Sequence, residues 1–331
     1  MNTKTIYCFL LLSVVLTLSV ILFTAWQDPY CNRCEEIDLE RYSVNSYFEV
    51  AQILKANPDA EVIIVGTSRG QNFSPKWLSK VLNKKVLNLA VAGSKVESKI
   101  AFIELAKKLI PLKLVIWQAD YFEILGDDED SKLHAMKIYN PDAELGLSYL
   151  KAKLLMAIDH SNFDAALASL KSKKFDARSL ELGSGSTMSE ECFSSSFKGV
   201  RTQDELNKKN DLMYYNYTHQ ILVPPESEWK KDLMRNYLAH EIGVESIVVF
   251  MPSHPEFTRK FNAEYPRLSE AQEAWYLDLK NLGVAVYSYY GGIEGDDGSP
   301  KFWLDGTHQT CYGSHLVLED LISKAIDRHD E

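Results

Sequence analysis

Five short, nearly unbroken apolar runs constrain the fold of this 331-residue chain more than any other feature. They are Val62–Val65, Val86–Val91, Leu112–Trp117, Ser246–Met251 and Val284–Tyr287. A strand with one wet face alternates apolar and polar residues. Runs without that alternation suit strands covered on both faces, as in a parallel sheet. Helical periodicity fills several of the intervals. Glu97–Leu109 carries Ile100, Ile103, Leu105 and Leu109 and stops before Pro111, and Leu268–Leu282 stops at Gly283. A helix-like run follows from Tyr312. Strands alternating with helices imply right-handed βαβ crossovers. The predicted class is therefore α/β, a three-layer α/β/α arrangement around a parallel sheet of about five strands.

The interval between the third and fourth runs, about residues 125–230, exceeds one crossover helix several-fold. Within it Leu145–Ile158 and Phe163–Leu170 read as helices, and the Gly/Ser-rich stretch from Leu182 to Ser189 as a loop. Long insertions in α/β enzymes often cap a site, so this one is expected near the chemistry.

Ahead of the sheet lies an uncharged apolar run from Ile6 to Trp26. About 20 such residues span a bilayer, whereas a cleaved signal peptide has a shorter core and a small-residue cleavage site. The reading is a transmembrane anchor over 1–26, a polar stalk over 27–45 and an exported domain over 46–331. Lys4 precedes the run, while Asp28, Glu35, Glu36 and Asp38 follow it. The N-terminus is thus expected in the cytoplasm and the body outside, at the periplasmic or other extracytoplasmic face. The formal net charge of −10 argues against nucleic acid as a partner. Membrane contact is expected from the N-terminal run alone.

Of the five cysteines, Cys8 lies in the apolar run and Cys31 and Cys34 form a C-x-x-C in the stalk. That pair reads as a local bridge or two free thiols, and Cys192 and Cys311 are candidates for a second pairing. No second cysteine pair follows at zinc-ligand spacing, and the acidic run Asp127–Asp130 lacks the spacing of a calcium loop. No metal or organic cofactor is expected.

The chemistry-bearing residues sit where the apolar runs end. Val62–Val65 runs into Gly66-Thr67-Ser68-Arg69, and Asp305-Gly306-Thr307-His308 precedes the last helical run. In an open α/β sheet, residues just past the strands' carboxyl ends form the ligand crevice. Ser68 is the candidate nucleophile, His308 its base and Asp305 the group that orients His308. Gly93, just after the second run, is a candidate oxyanion donor because no side chain shields its amide. Arg69 is a candidate either for an anionic substrate or for a structural ion pair. His254, after the fourth run, reads as a pocket-shaping residue or a satisfied loop histidine.

Taken together, Ile64-Val65-Gly66-Thr67-Ser68-Arg69, Asn88-Leu89-Ala90-Val91-Ala92-Gly93-Ser94 and Asp305-Gly306-Thr307-His308 resemble the blocks of the SGNH (GDSL-like) hydrolase superfamily. The resemblance implies a flavodoxin-like sheet, Ser68 as nucleophile, Gly93 as oxyanion donor, and His308 with Asp305 completing a triad. The family's third block usually offers an Asn to the oxyanion hole. Here that position reads Trp117-Gln118-Ala119-Asp120, which leaves Gln118 as the candidate amide donor. With its apolar N-terminus the chain is most similar to the membrane-anchored branch, which includes teichoic-acid D-alanylation and alginate-type O-acetylation proteins. That likeness implies ester hydrolysis or acyl transfer on a cell-envelope or secreted polysaccharide, beside a membrane-bound O-acyltransferase. The alternatives are a non-catalytic glycan-binding or scaffolding member of the fold and a simple exported esterase or lipase.

Overall fold

A computed structural model of the chain describes residues 3–27, 46–128, 202–222 and 224–327. By contact density the chain divides into two compact units, Met1–Gln52 with Ser131–Ala177 and Ile53–Asp130 with Arg178–Glu331. The first contributes helix α1 (Thr3–Gln27). Side chains of α1 are described at Tyr7 and over 11–23, and among the described residues no helix is long and apolar enough to cross a membrane. Helix α2 (Ser46–Ala56) follows, with Ile53 and Leu54 fully buried.

The sheet lies in the second unit. Strands β1 (Val62–Val65), β2 (Val86–Asn88), β3 (Leu114–Ala119), β4 (Glu245–Phe250) and β5 (Ala285–Ser288) pair in the order β2-β1-β3-β4-β5. Every pairing is parallel, with Ile64 opposite Asn88 on one side and Ile116 on the other. After β1 the chain crosses to one side for β2 and then to the other for β3. The carboxyl end of β1 is therefore a topological switch point, where neighbouring loops diverge and leave a crevice. The predicted α/β class and parallel sheet are observed.

Helices α3 (Pro75–Leu82), α4 (Val96–Leu109), α5 (Gln203–Asn216), α6 (Glu228–Asn236), α7 (Pro255–Glu264), α8 (Pro266–Asn281) and α9 (Cys311–Asp327) accompany the strands. Side chains alternate across a strand, so Val62 and Ile64 face one layer and Ile63 and Val65 the other. Val62, Ile64, Ile116 and Val249 pack with Phe73, Leu78 and the α9 residues Val317, Leu318, Leu321 and Ile322. On the opposite face Ile63, Val115, Val248 and Phe250 are fully buried, where α4 meets β1 and α8 meets β5. Burial on both faces is the physical reason the strands read as unbroken apolar runs.

Several strand boundaries shift by one to three residues from the apolar runs, and two of the shifts bear on the site. β2 stops at Asn88 because the Asn88 side chain accepts from the Ala90 amide at 3.0 Å and takes the chain out of regular pairing. Leu89 and Val91 nevertheless donate to the carbonyls of Ile64 and Gly66 at 2.8 and 2.9 Å, which carries Gly93 along the end of β1. β3 runs two residues further than its apolar run, taking Gln118 fully into the interior. Helices α5 and α6 bury few residues each and left no strong apolar stripe to read. The expected helices at Leu145–Ile158 and Phe163–Leu170 and the loop at Leu182–Ser189 lie outside the described residues, as do Cys31, Cys34 and Cys192.

Candidate active site

The turn after β1 is fixed from below, and that fixing is what exposes Ser68. The Thr67 amide donates to Gln118 Oε1 at 2.8 Å, and the Thr67 hydroxyl lies 2.5 Å from Asp120 Oδ2. Ser94 Oγ donates to the Gly66 carbonyl at 2.7 Å. Asn88 Nδ2 donates to the carbonyls of Gly70 and Phe73 at 3.0 and 2.9 Å. Thr67 and Gly70 are buried, leaving Ser68 as the part-exposed residue of the turn.

Ser68 Oγ lies 2.8 Å from His308 Nε2, across 240 positions of sequence. His308 Nδ1 lies 2.9 and 3.0 Å from the two Asp305 oxygens. Asp305 Oδ1 also accepts from the amides of Thr307 and His308 at 2.8 and 2.9 Å. Burial alone would push the Asp305 carboxyl up. The hydrogen bond and charge of His308, with the two amides, outweigh it and hold the group below its ordinary 3.8. An ionised Asp305 in this position favours the imidazole tautomer with its proton on Nδ1, which leaves Nε2 free to accept from Ser68.

The loop carrying Asp305 and His308 is tied to the rest of the site. Asn72 Nδ2 donates to the Gln309 carbonyl at 2.7 Å, joining the segment after Ser68 to the residue after His308. The His254 amide donates to the Gly306 carbonyl at 2.9 Å. Gly306 packs so closely on α7 that a Cβ there would lie 2.5 Å from the Phe257 ring, so only glycine fits.

Gly93 has φ +72°, the left-handed region that glycine enters at little cost. Among the described residues, neither the Ser68 nor the Gly93 amide donates a backbone hydrogen bond. Both are available as donors.

Three sequence candidates take other places. Gln118 is fully buried, and its Nε2 donates to Asp120 Oδ2 and the Ala119 carbonyl at 3.0 and 3.1 Å. Its amide braces the turn from below and does not face the crevice. Arg69 is buried in an ion pair: Nη1 donates to Asp120 Oδ1 at 2.7 Å, and Nη2 to the carbonyls of Met251 and Pro252. His254 caps α7, its Nδ1 accepting from the Glu256 amide at 3.1 Å while Nε2 donates to the Gly298 carbonyl at 2.9 Å. With both ring nitrogens committed, His254 is a satisfied loop histidine.

The sequence reading missed Asp120, Asn72 and the pair beneath them. Asp120 connects the Thr67 hydroxyl, Arg69 and Gln118. Lys99, fully buried on α4, donates to Glu123 Oε1 and, at 2.5 Å, to the Gln118 carbonyl. Glu123 Oε1 also accepts from the Asp120 amide at 2.6 Å. Burial raises the Glu123 carboxyl to about 7 despite Lys99, and burial likewise lowers the Lys99 ammonium. The available signal was the polar pattern Gln118-x-Asp120-x-x-Glu123 breaking an apolar strand end.

Among the described residues, no cluster of His, Cys, Asp and Glu is disposed to hold a metal ion. Cys311, at the start of α9, is disulfide-bonded. No protein-family model matches the chain, and no curated protein matches it significantly.

Proposed function

We propose that this protein is a serine-dependent esterase or acyltransferase of SGNH type. The observation that carries the reading is the continuous chain Ser68 Oγ–His308 Nε2 at 2.8 Å and His308 Nδ1–Asp305 Oδ2 at 2.9 Å, at the switch point of a parallel sheet. Ser68 Oγ attacks the acyl carbonyl carbon as its proton passes to His308 Nε2. The oxyanion develops toward the amides of Ser68 and Gly93. Collapse breaks the ester C–O bond, and His308 returns the proton to the departing alkoxide, leaving acyl-Ser68. His308 then deprotonates water or an acceptor hydroxyl, whose oxygen takes the acyl group and releases Ser68. Asp305 stabilises the imidazolium at each stage without taking the proton itself.

The proposed setting is the outer face of a membrane, with α1 as the anchor and a membrane-bound O-acyltransferase as acyl source. The donor is an acyl ester, and the acceptor or acylated substrate is an envelope or secreted polysaccharide. A disulfide at Cys311 supports an oxidising compartment. The all-round exposure of apolar side chains along α1, with Leu11 and Leu22 each more than 60% exposed, supports an apolar surrounding for that helix. Non-catalytic scaffolding is the second reading, favoured by the commitment of Gln118 to the interior, which leaves backbone donors alone for the oxyanion.

Fluorophosphonate labelling of the full chain tests the proposal. Wild type should label, Ser68→Ala should not, and His308→Ala should label at least ~10³-fold more slowly. A folded wild-type protein that resists labelling would sink the catalytic reading in favour of scaffolding.

A further inference from the structure

Ser68 is held through its neighbours and not by contacts of its own. Among the described residues its one hydrogen bond is that to His308. Thr67 and Arg69, on either side of it, are buried, and both reach the same carboxylate. Thr67 Oγ1 lies 2.5 Å from Asp120 Oδ2, and Arg69 Nη1 donates to Asp120 Oδ1 at 2.7 Å. One side chain thus grips the backbone immediately before and immediately after the candidate nucleophile.

Asp120 is itself held fast. It is 2% exposed, and Gln118 Nε2 donates to its Oδ2 at 3.0 Å. Its amide donates to Glu123 Oε1 at 2.6 Å, and Glu123 in turn is paired with the buried Lys99. Each side-chain partner of Asp120 is a donor, a set that suits a carboxylate and not an amide. An Asn here would aim its NH₂ at Arg69 or at Gln118 Nε2, a donor facing a donor in either rotamer. Arg69 is not free to follow a displaced partner, because its Nη2 donates to the carbonyls of Met251 and Pro252.

Packing closes the other sides of the turn. A Cβ added to Gly66 would lie 2.9 Å from Gln118 Oε1, and one added to Gly70 would lie 3.3 Å from the Ala90 Cβ. Rotation of the peptide planes flanking Ser68 would carry Oγ away from His308 Nε2 and redirect the Ser68 amide. The tethers on Thr67 and Arg69 oppose that rotation from both sides.

We propose that Asp120 is the positioning residue of the nucleophile, acting through Thr67 and Arg69 to set the Oγ and the amide of Ser68. The role rests on the serine-dependent reading of the site, since a scaffold has no need of a fixed Oγ. A shift of about 1 Å at a reacting group costs on the order of 10²-fold in rate, which sets the expected effect.

Fluorophosphonate labelling rates of the full chain in detergent, measured across pH beside urea midpoints, test the role. Thr67→Val keeps the branched shape and removes the hydroxyl, whereas Thr67→Ser keeps the hydroxyl. Folded Thr67→Val should label ~10²-fold more slowly at every pH, with an unshifted pH midpoint because His308 and Asp305 are untouched. Thr67→Ser should recover all but about three-fold of that loss. Added to Asp120→Asn, Thr67→Val should slow labelling by less than about three-fold more, because hydroxyl and carboxylate act as one unit. A merely structural loss would lower the rate only by the unfolded fraction, which the urea curves give. Folded Thr67→Val at the wild-type rate, Thr67→Ser as slow as Thr67→Val, or full additivity with Asp120→Asn overturns the role. Should Thr67→Val or Asp120→Asn fail to fold, the rate of the other decides alone. A wild type that resists labelling removes the esterase reading and this role with it. A wild type that labels beside an unaffected Thr67→Val removes the positioning role alone.

Discussion

Asp305 receives the His308 ring, two backbone amides and the Thr307 hydroxyl, a set that only an ionised carboxylate can accept in full. Replacing it with Asn should preserve the loop but present an amide to Nδ1 and disturb the tautomer. Fluorophosphonate labelling of Asp305→Asn should slow by about 10³–10⁴-fold. The same carboxyl predicts acid sensitivity. Its folded-state pKa lies below the ordinary 3.8, so its stabilisation is present above that value and lost as pH falls through the depressed one. Urea midpoints measured from pH 5 down to pH 2 should therefore fall less steeply in Asp305→Asn than in wild type. Gly93 offers a second test. Any side chain at φ +72° meets the left-handed penalty, so Gly93→Ala should cost ~1–2 kcal/mol in urea unfolding and slow labelling as well.

At the level of the elements, the site is the meeting of strand ends. β1 brings Ser68, the extension of β2 brings Gly93, and β3 brings Gln118 and Asp120. The loop beyond β5 brings Asp305 and His308. Behind the β3 end, α4 supplies Lys99 to Glu123, both side chains almost wholly buried. Removing one partner of such a pair strands the other, so Lys99→Met should destabilise by about 3–5 kcal/mol. Replacing both, as Lys99→Met with Glu123→Leu, should recover much of that loss. The sign of the pH effect follows from Glu123. Its pKa is raised to about 7 in the fold against an ordinary 4.5, so its contribution is greatest below 4.5 and declines up to about 7. Without Lys99 the decline continues to higher pH. The penalty of Lys99→Met in urea midpoints should accordingly be larger at pH 8 than at pH 5.

Across the whole molecule, the Cys311 disulfide adds a covalent restraint at the start of α9, three residues past His308. Cys311→Ser should lower stability by about 2–5 kcal/mol in thermal unfolding, and reductant should lower wild type by at least as much. The strands were legible in the sequence because a parallel sheet buried on both faces demands unbroken apolar runs, and that demand is local. Ser68, Gly93, Asp305 and His308 were legible for a related reason: each stands at a turn whose chemistry is written in adjacent residues. The roles of Gln118, Arg69 and His254 were not. Gln118 is fixed by Thr67, 51 positions away, and Arg69 by the Met251 carbonyl, 182 positions away. His254 is fixed by Gly298, 44 positions away. The amino-acid sequence by itself determined which residues carry reactive groups and that they fall at strand ends. The tertiary structure alone decided which polar groups are spent on one another and which remain unpartnered, because a hydrogen bond depends on separation in space and leaves no period along the chain.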